Sequence, residues 1–193
     1  MKYLLYIIFT FYLSSVFCQD SIELSILSAD DNWSKEIITF PVDWAPNLTL
    51  KGFEELRFSP FWSNPKSTQF WSLVMAWKVN ATSTLTIEAL EDNFEAYFDG
   101  LMKPNHWATT FPQPTVVFLP NPEKDSANGI IGKMRLFDGF HTGKSITLNI
   151  KVEQYFCETI DKAIIIFRLS PKDFEHSIWN ELNAIIRTPR SCE

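Results

Sequence analysis

The strongest constraint on the fold is a regular alternation of apolar and polar residues in the last third of the chain. Over residues 145–157, isoleucine, leucine and valine alternate with threonine, asparagine and lysine, as in a strand that buries one face. A second extended stretch covers residues 130–140, and the short polar connection at residues 141–144 predicts that the two strands form an antiparallel hairpin. The apolar face of this hairpin must be covered by other parts of the chain.

Further strands are expected to extend this hairpin into a sheet. Residues 163–169 are apolar on both faces, which predicts a strand in the middle of the sheet rather than at its edge. Over residues 71–79 the large apolar side chains alternate, so one face of this strand is expected to be buried. Shorter extended stretches are predicted at residues 37–44, 53–58 and 115–119.

Two helices are predicted from apolar residues that recur at three- and four-residue steps. The first follows Thr86, a suitable N-cap, and ends at Gly100. The second has Ser170 as its N-cap and Pro171 at its first position, and it stops before Thr188. These elements predict the α+β class: a single domain with a twisted, largely antiparallel sheet of about six to seven strands and two helices packed on one face.

The N-terminal residues have the layout of a secretory signal. Lys2 precedes an apolar run over residues 3–13, which is shorter than the roughly 20 residues of a membrane-spanning helix. We therefore expect residues 1–18 to be a signal peptide and residues 19–193 to be an exported bacterial domain, periplasmic or secreted, with no membrane span after cleavage. The alternative is a lipid anchor on Cys18.

Cleavage of this signal would leave two cysteines, Cys157 and Cys192. In an oxidising compartment, such a pair predicts a disulfide. Closing a loop of this length would stabilise the fold by about 3 to 4 kcal/mol if the effect is mainly one of chain entropy. The alternative is a reactive thiol at Cys157.

Composition argues against several classes of partner. The net charge is −6 and the sequence has no basic block, whereas nucleic acids and anionic membranes are bound by clustered lysine and arginine. An apolar content of 46% with 21% charged residues is that of an ordinary globular protein. The sequence has no nucleotide-binding or metal-ligand motif, so we expect no cofactor and no metal.

The candidates for acid–base chemistry are Glu54, Glu55, Asp138 and His141. Asp138 lies three residues before His141, but the residues between and after them have the composition of a hairpin tip, which favours a turn. On a strand, Glu54 and Glu55 point to opposite faces. One of them is expected to face water or pair with Arg57, and the other to lie on an apolar face and need a buried partner.

Aromatic residues make up 15% of the chain and crowd between Trp33 and Trp77. Most of them are expected to fill the core. Residues 58–65 have the composition of a loop, in which Phe61 and Trp62 are the candidates for stacking against a ligand. Trp62 is the better candidate, because polar and turn-forming residues follow it.

Taken together, these features favour an exported, non-catalytic binding or interaction module that uses an aromatic surface around Phe61 and Trp62. Its ligand would be a glycan, a peptide or an envelope protein. The alternative is a small exported hydrolase that combines the glutamates with Asp138 and His141, and a structural accessory domain is a third reading. A pocket that holds Glu54 or Glu55 together with His141 and Asp138 would favour the hydrolase.

Overall fold

A seven-stranded antiparallel sheet organises the molecule. The computed structural model describes residues 25–103, 112–121 and 129–193, so the predicted signal peptide lies outside the described residues. The elements are β1 (Leu27–Ser28), β2 (Ser34–Phe40), β3 (Gly52–Phe58), β4 (Leu73–Asn80), α1 (Ile87–Met102), β5 (Thr115–Pro120), β6 (Gly129–Asp138), β7 (Lys144–Cys157), β8 (Lys162–Ser170), α2 (Ile178–Ala184), β9 (Ile186–Arg187) and a short 3-10 helix (Pro189–Cys192).

The order of strands in the large sheet is β2-β3-β4-β8-β7-β6-β5, and β1 pairs with β9 separately. The α+β class and the antiparallel sheet are therefore confirmed. The stretch predicted for the middle of the sheet, now β8, is its central strand. Its position follows from its composition, because a strand that is apolar on both faces avoids water only where both faces are covered.

Both faces of the sheet are apolar at its centre. In β4, Leu73 and Met75 belong to the core on one side, and Val74 and Ala76 belong to the core on the other, because side chains alternate along a strand. Residues 162–169 of β8 pair with β4, and β8 repeats the pattern. The sheet therefore needs cover on both sides.

α1 covers the first of these faces. It begins at the predicted N-cap, where the Thr86 hydroxyl accepts a hydrogen bond from the Ala89 N–H at 3.1 Å. On its buried side, the Phe94 ring centroid lies 4.7 Å from that of Phe167 in β8. Two carboxylates of α1, Glu91 and Glu95, also accept hydrogen bonds from backbone N–H groups of the edge strand β5, which fixes the helix against the sheet.

α1 continues past Gly100, where the sequence predicted its end, to Met102. A Cβ at Gly100 would lie 2.2 Å from the carbonyl oxygen of Trp44. The glycine is therefore required by a close approach between the helix and the segment before β3, and not by helix termination.

The second helix differs from the prediction in position and length. α2 spans Ile178–Ala184 and packs with Val74 and Ile166 on the opposite face of the sheet. Ser170, the predicted N-cap, is the last residue of β8, and its hydroxyl lies 2.9 Å from the hydroxyl of Ser72. The physical reason is the second apolar face, which would be exposed if both helices packed on the first.

The C-terminal residues are attached at two points, one on the large sheet and one on the segment before β1. The predicted disulfide joins Cys157, at the end of β7, to Cys192, with their Cα atoms 5.4 Å apart. The Thr188 N–H donates to the Ile26 carbonyl at 2.8 Å beside the β1–β9 pair. Together these contacts hold the C-terminal residues against the face that α2 covers.

Candidate functional site

A cleft of about 430 Å³ lies at the C-terminal end of α1, between the helix, the sheet and two loops. Strands β2, β3 and β4 form its floor, α1 forms one wall, and the β3–β4 and β6–β7 connections form the rest. Seven of its lining residues carry an aromatic or imidazole ring, and we call it the aromatic cleft. It is lined by Glu36, Ile38, Leu56, Phe58, Trp62, Trp71, Leu73, Tyr97, Phe98, Leu101, Phe140 and His141.

The register of the paired strands determines which side chains form the floor of the cleft. Glu36 of β2 lies opposite Leu56 of β3, and Phe58 of β3 lies opposite Leu73 of β4. Because side chains of paired residues project to the same side of a sheet, these four share the face that α1 covers. The last turns of α1 contribute Tyr97, Phe98 and Leu101 to the lining. The cleft is the space between these residues and the floor.

Trp62 and Trp71 are held by the hydrogen-bonded loop between β3 and β4. The Trp71 N–H donates to the Trp62 carbonyl at 2.8 Å, and the Ser59 N–H donates to the Ser72 carbonyl at the base of the loop. Trp71 is buried and has a φ of +51°, a left-handed conformation that is unfavourable for a bulky residue unless its surroundings enforce it. The Trp62 ring centroid lies 4.5 Å from that of Phe58. The loop therefore presents two indoles in fixed positions.

Asp138 organises the turn between β6 and β7, in agreement with the turn interpretation. Its carboxylate accepts hydrogen bonds from the backbone N–H groups of Phe140, His141 and Thr142 and from the Thr142 hydroxyl. Burial acts to raise the pKa of Asp138, but the hydrogen bonds from Thr142 and His141 outweigh it, so that the pKa lies below its ordinary value. Asp138 therefore positions the main chain of His141.

The His141 ring lies in the cleft among aromatic rings. Its centroid is 5.0 Å from that of Trp62, 5.8 Å from that of Phe70 and 6.2 Å from that of Trp71, all in edge-on arrangements. Its Nε2 atom is buried and has no hydrogen-bond partner among the described residues. A buried nitrogen without a partner is unfavourable, and a polar group on a bound ligand would satisfy it.

Glu54 is linked to the cleft through Tyr97. The Tyr97 hydroxyl donates to Glu54 Oε1 at 2.5 Å, and the Trp77 Nε1–H donates to Oε2 at 3.0 Å. Burial raises the pKa of Glu54 to about 7, against the effect of these two hydrogen bonds, and the negative charge of Glu36 adds to the rise. Burial and the neighbouring Glu54 also raise the pKa of Tyr97 well above its ordinary value. Tyr97 lines the cleft, whereas Glu54 is fully buried behind it.

Glu55 points to the other face of the sheet, away from the cleft. Its Oε1 lies 2.7 Å from Nη2 of Arg57, and its Oε2 accepts hydrogen bonds from the N–H groups of Ile26 and Leu27. The two glutamates thus lie on opposite faces, as alternation predicts, and Arg57 pairs with one of them. Of the four acid–base candidates, only His141 is among the residues that line the cleft.

The two aromatic candidates have different positions. Trp62 lines the cleft, whereas the neighbouring Phe61 is 59% exposed and is not among the lining residues. The structure brings Trp62 next to His141, although sequence reasoning assigned these residues to different functional hypotheses.

Sequence reasoning did not single out Glu36 or Tyr97. Glu36 shares a strand face with Ile38 and Phe40, and a charged residue in that position of an apolar alternation was an available signal. Tyr97 belongs to the apolar stripe of α1, and the buried hydroxyl of such a tyrosine usually requires a partner. The partner, Glu54, is distant in sequence, so the pair became visible only in the fold.

No protein-family model, curated protein or solved structure matches the chain significantly. Within residues 25–103, 112–121 and 129–193, no group of three or more His, Cys, Asp or Glu side chains is arranged to hold a metal ion. No helix in this part of the chain combines the length and apolarity needed to cross a bilayer.

Proposed function

We propose that this chain is a binding protein that holds a small organic molecule with an apolar body in the aromatic cleft. The observation that carries the proposal is the cleft itself: about 430 Å³ of concave space with mostly apolar walls. Small-molecule sites in proteins typically have volumes of roughly 300–1,000 Å³ and apolar linings with few polar groups.

The rigidity of the lining supports this proposal. Trp62 and Trp71 belong to one hydrogen-bonded loop, and His141 lies in the turn that Asp138 organises. A site whose side chains are already held in place loses little conformational entropy when a ligand binds. The few polar groups of the lining favour an apolar ligand over a glycan, which needs many hydrogen bonds.

Export of the protein remains part of the proposal. The support is the predicted signal peptide together with the Cys157–Cys192 disulfide, because disulfides persist mainly in oxidising compartments. An exported binding protein would meet its ligand in the periplasm or outside the cell.

The hydrolase alternative has weaker support. Glu55 faces the other side of the sheet, Asp138 is bound within its own turn, and Glu54 is buried behind Tyr97. A general acid or base must come within hydrogen-bond distance of the reacting group, directly or through one water. A hydrolase would therefore have to use His141 without a carboxylate partner from this set.

The binding proposal is tested with an uncharged apolar fluorophore, N-phenyl-1-naphthylamine, whose emission increases in apolar surroundings. We expect saturable binding to the wild-type protein. The Trp62→Ala variant should bind about tenfold or more weakly, because it removes a ring from the site. Leu101→Trp, which adds a ring inside the cleft, should also weaken binding.

Phe61→Ala is the matched control, since it removes the adjacent ring that does not line the cleft, and it should bind as the wild type does. Circular dichroism would show whether each variant keeps its fold. A probe that does not saturate, or that loses as much affinity in Phe61→Ala as in Trp62→Ala, would overturn the proposal.

A further inference from the structure

We infer that the ligand of the aromatic cleft is a small organic cation, an amine or quaternary ammonium compound with an apolar body. This inference rests on the proposed function and adds the charge of the ligand. It is carried by the position of one carboxylate, Glu36, on the rim of an aromatic site.

The charged side chain in the described lining of the cleft is negative, and no positive lysine or arginine balances it there. Among the described lining residues, Glu36 is the carboxylate, and none is a lysine or arginine. A cleft bordered by a single sign of charge raises the local concentration of ligands with the opposite sign. The net charge of the whole chain, −6, acts in the same direction.

Glu36 has no cation to neutralise it within the described residues. Its cross-strand neighbour in β3 is the apolar Leu56. No ion pair of Glu36 is found in the described part of the structure. Its charge is strong enough to contribute to the raised pKa values of Glu54 and Tyr97. The negative potential at this end of the cleft is thus left for a ligand to complement.

The aromatic rings that line the cleft with Glu36 suit the same kind of ligand. The faces of tryptophan, tyrosine and phenylalanine carry a negative quadrupole potential and attract ammonium groups within about 6 Å. Phe58, Trp62, Trp71 and Tyr97 supply such rings to the lining. An aromatic site with a carboxylate at its rim combines two modes of ammonium recognition, cation–π attraction and charge pairing.

The unpartnered nitrogen of His141 adds a polar contact. Nε2 is buried without a hydrogen-bond partner among the described residues. The acceptor nitrogen of a neutral imidazole can take a hydrogen bond from the N–H of a protonated amine, whereas a quaternary ammonium ligand has no N–H and would be held by Glu36 and the rings alone. An anionic ligand would instead meet the repulsion of Glu36. We therefore expect affinity to decrease from cation to neutral molecule to anion when the apolar body is held constant.

The test uses three probes with the same naphthalene body: trimethyl(2-naphthylmethyl)ammonium, its uncharged carbon isostere 2-neopentylnaphthalene, and 2-naphthylacetate. Each competes with N-phenyl-1-naphthylamine for the wild-type protein at low ionic strength. The ammonium compound should bind about tenfold more tightly than its carbon isostere, and 2-naphthylacetate should bind more weakly than either.

The Glu36→Gln variant should lose most of the preference for the ammonium compound and keep the affinity for the carbon isostere. Glu36 is exposed, so this change should not disturb folding. Glu88→Gln is the matched control: it makes the same change of charge at an exposed residue in the first turn of α1, far along the helix from the cleft. It should keep the preference.

The results separate this inference from the proposed function. Equal binding of the ammonium compound and its isostere, or tighter binding of 2-naphthylacetate, would overturn the inference and leave the proposed function standing. A preference that survives in Glu36→Gln would also overturn it. If neither the fluorophore nor any competitor binds, both the proposed function and the inference fail.

Discussion

Glu54 and Glu55 are adjacent in β3, but their buried carboxylates lie on opposite faces of the sheet and have partners of opposite kinds. Glu54 accepts hydrogen bonds from two neutral donors, Trp77 and Tyr97. Glu55 pairs with the guanidinium of Arg57 and accepts two backbone N–H groups. Neutral donors offset only part of the cost of burying a charge, so substitution by glutamine should have opposite effects on stability at the two positions.

Replacing Glu54 with glutamine should stabilise the protein above neutral pH. Burial raises the pKa of Glu54 from its ordinary value of 4.5 to about 7, so the folded state binds the proton more tightly than the unfolded state. The free energy of unfolding therefore falls as pH rises from about 4.5 through about 7. By linkage, the cost reaches about 3 kcal/mol above that range.

Glutamine carries no charge and still has an acceptor for Trp77. The gain in unfolding free energy of Glu54→Gln over the wild type should therefore increase between pH 4.5 and 8, as measured by urea denaturation. A difference between the two proteins that does not change with pH would contradict the raised pKa.

Glu55→Gln is the control for Glu54→Gln, and we expect it to lower the free energy of unfolding instead of raising it. The variant leaves the largely buried guanidinium of Arg57 without its carboxylate, and removing one partner of a buried pair typically costs about 3 to 5 kcal/mol. Urea denaturation at pH 7 should show a loss toward the lower end of that range, because Arg57 is partly exposed. A stability equal to that of the wild type would show that neither the ion pair with Arg57 nor the hydrogen bonds from Ile26 and Leu27 to Glu55 stabilise the fold.

The disulfide should stabilise the fold without contributing to the aromatic cleft. Cys157 and Cys192 lie on the α2 side of the sheet. We expect intact mass to increase by two hydrogens on reduction under denaturing conditions. The Cys157→Ser, Cys192→Ser double variant should lose about 3 to 4 kcal/mol of unfolding free energy and still bind the fluorophore under conditions where it is folded. An unchanged mass would contradict the bridge.

Arg168 should be essential for the position of α2. Its Nε and Nη2 donate to the carbonyl oxygens of Leu182 and Ile185 at 3.0 and 2.9 Å, and its Nη1 lies 3.2 Å from Glu153. Arg168→Met removes these charge-assisted hydrogen bonds and should cost about 3 kcal/mol. Arg135→Met is the matched control, because Arg135 is exposed on β6, and its effect should stay within about 0.5 kcal/mol. Equal losses would show that the contacts of Arg168 contribute nothing specific.

Asp138 should matter for ligand binding although it does not line the cleft. Asp138→Ala removes the acceptor of three backbone N–H groups in the turn that carries Phe140 and His141. The variant should lose about 1 to 3 kcal/mol of stability and bind the fluorophore more weakly. Because the pKa of Asp138 is lowered in the fold, its contribution is present above its ordinary pKa and is lost as pH falls through the folded value.

The Thr142→Val variant removes only one of the hydrogen bonds to Asp138. Its losses of stability and of affinity for the fluorophore should therefore be smaller than those of Asp138→Ala. If a folded Asp138→Ala protein bound the fluorophore with full affinity, the turn that Asp138 organises would not contribute to ligand binding.

Much of the fold could be predicted because the information is local. The period of two along a strand is a property of the backbone, so the sequence placed Glu54 and Glu55 on opposite faces and β8 at the centre of the sheet. The N-cap at Thr86 was also readable, because a cap depends on residues within one turn of the helix. The second helix was not predicted correctly: Ser170 and Pro171 resemble a helix start, but strand pairing with β7 holds Ser170 in β8.

By itself, the sequence determined the strand faces, the α+β class and the pair of cysteines that form the disulfide, since each depends on local periodicity or on a simple count. Tertiary structure alone decided which helix covers which face, and it alone brought together Glu36, Trp62, Tyr97 and His141 in one cleft. These residues come from a strand, a loop, a helix and a hairpin tip. Their proximity follows from packing two apolar faces of one sheet at once, which is a property of the whole chain.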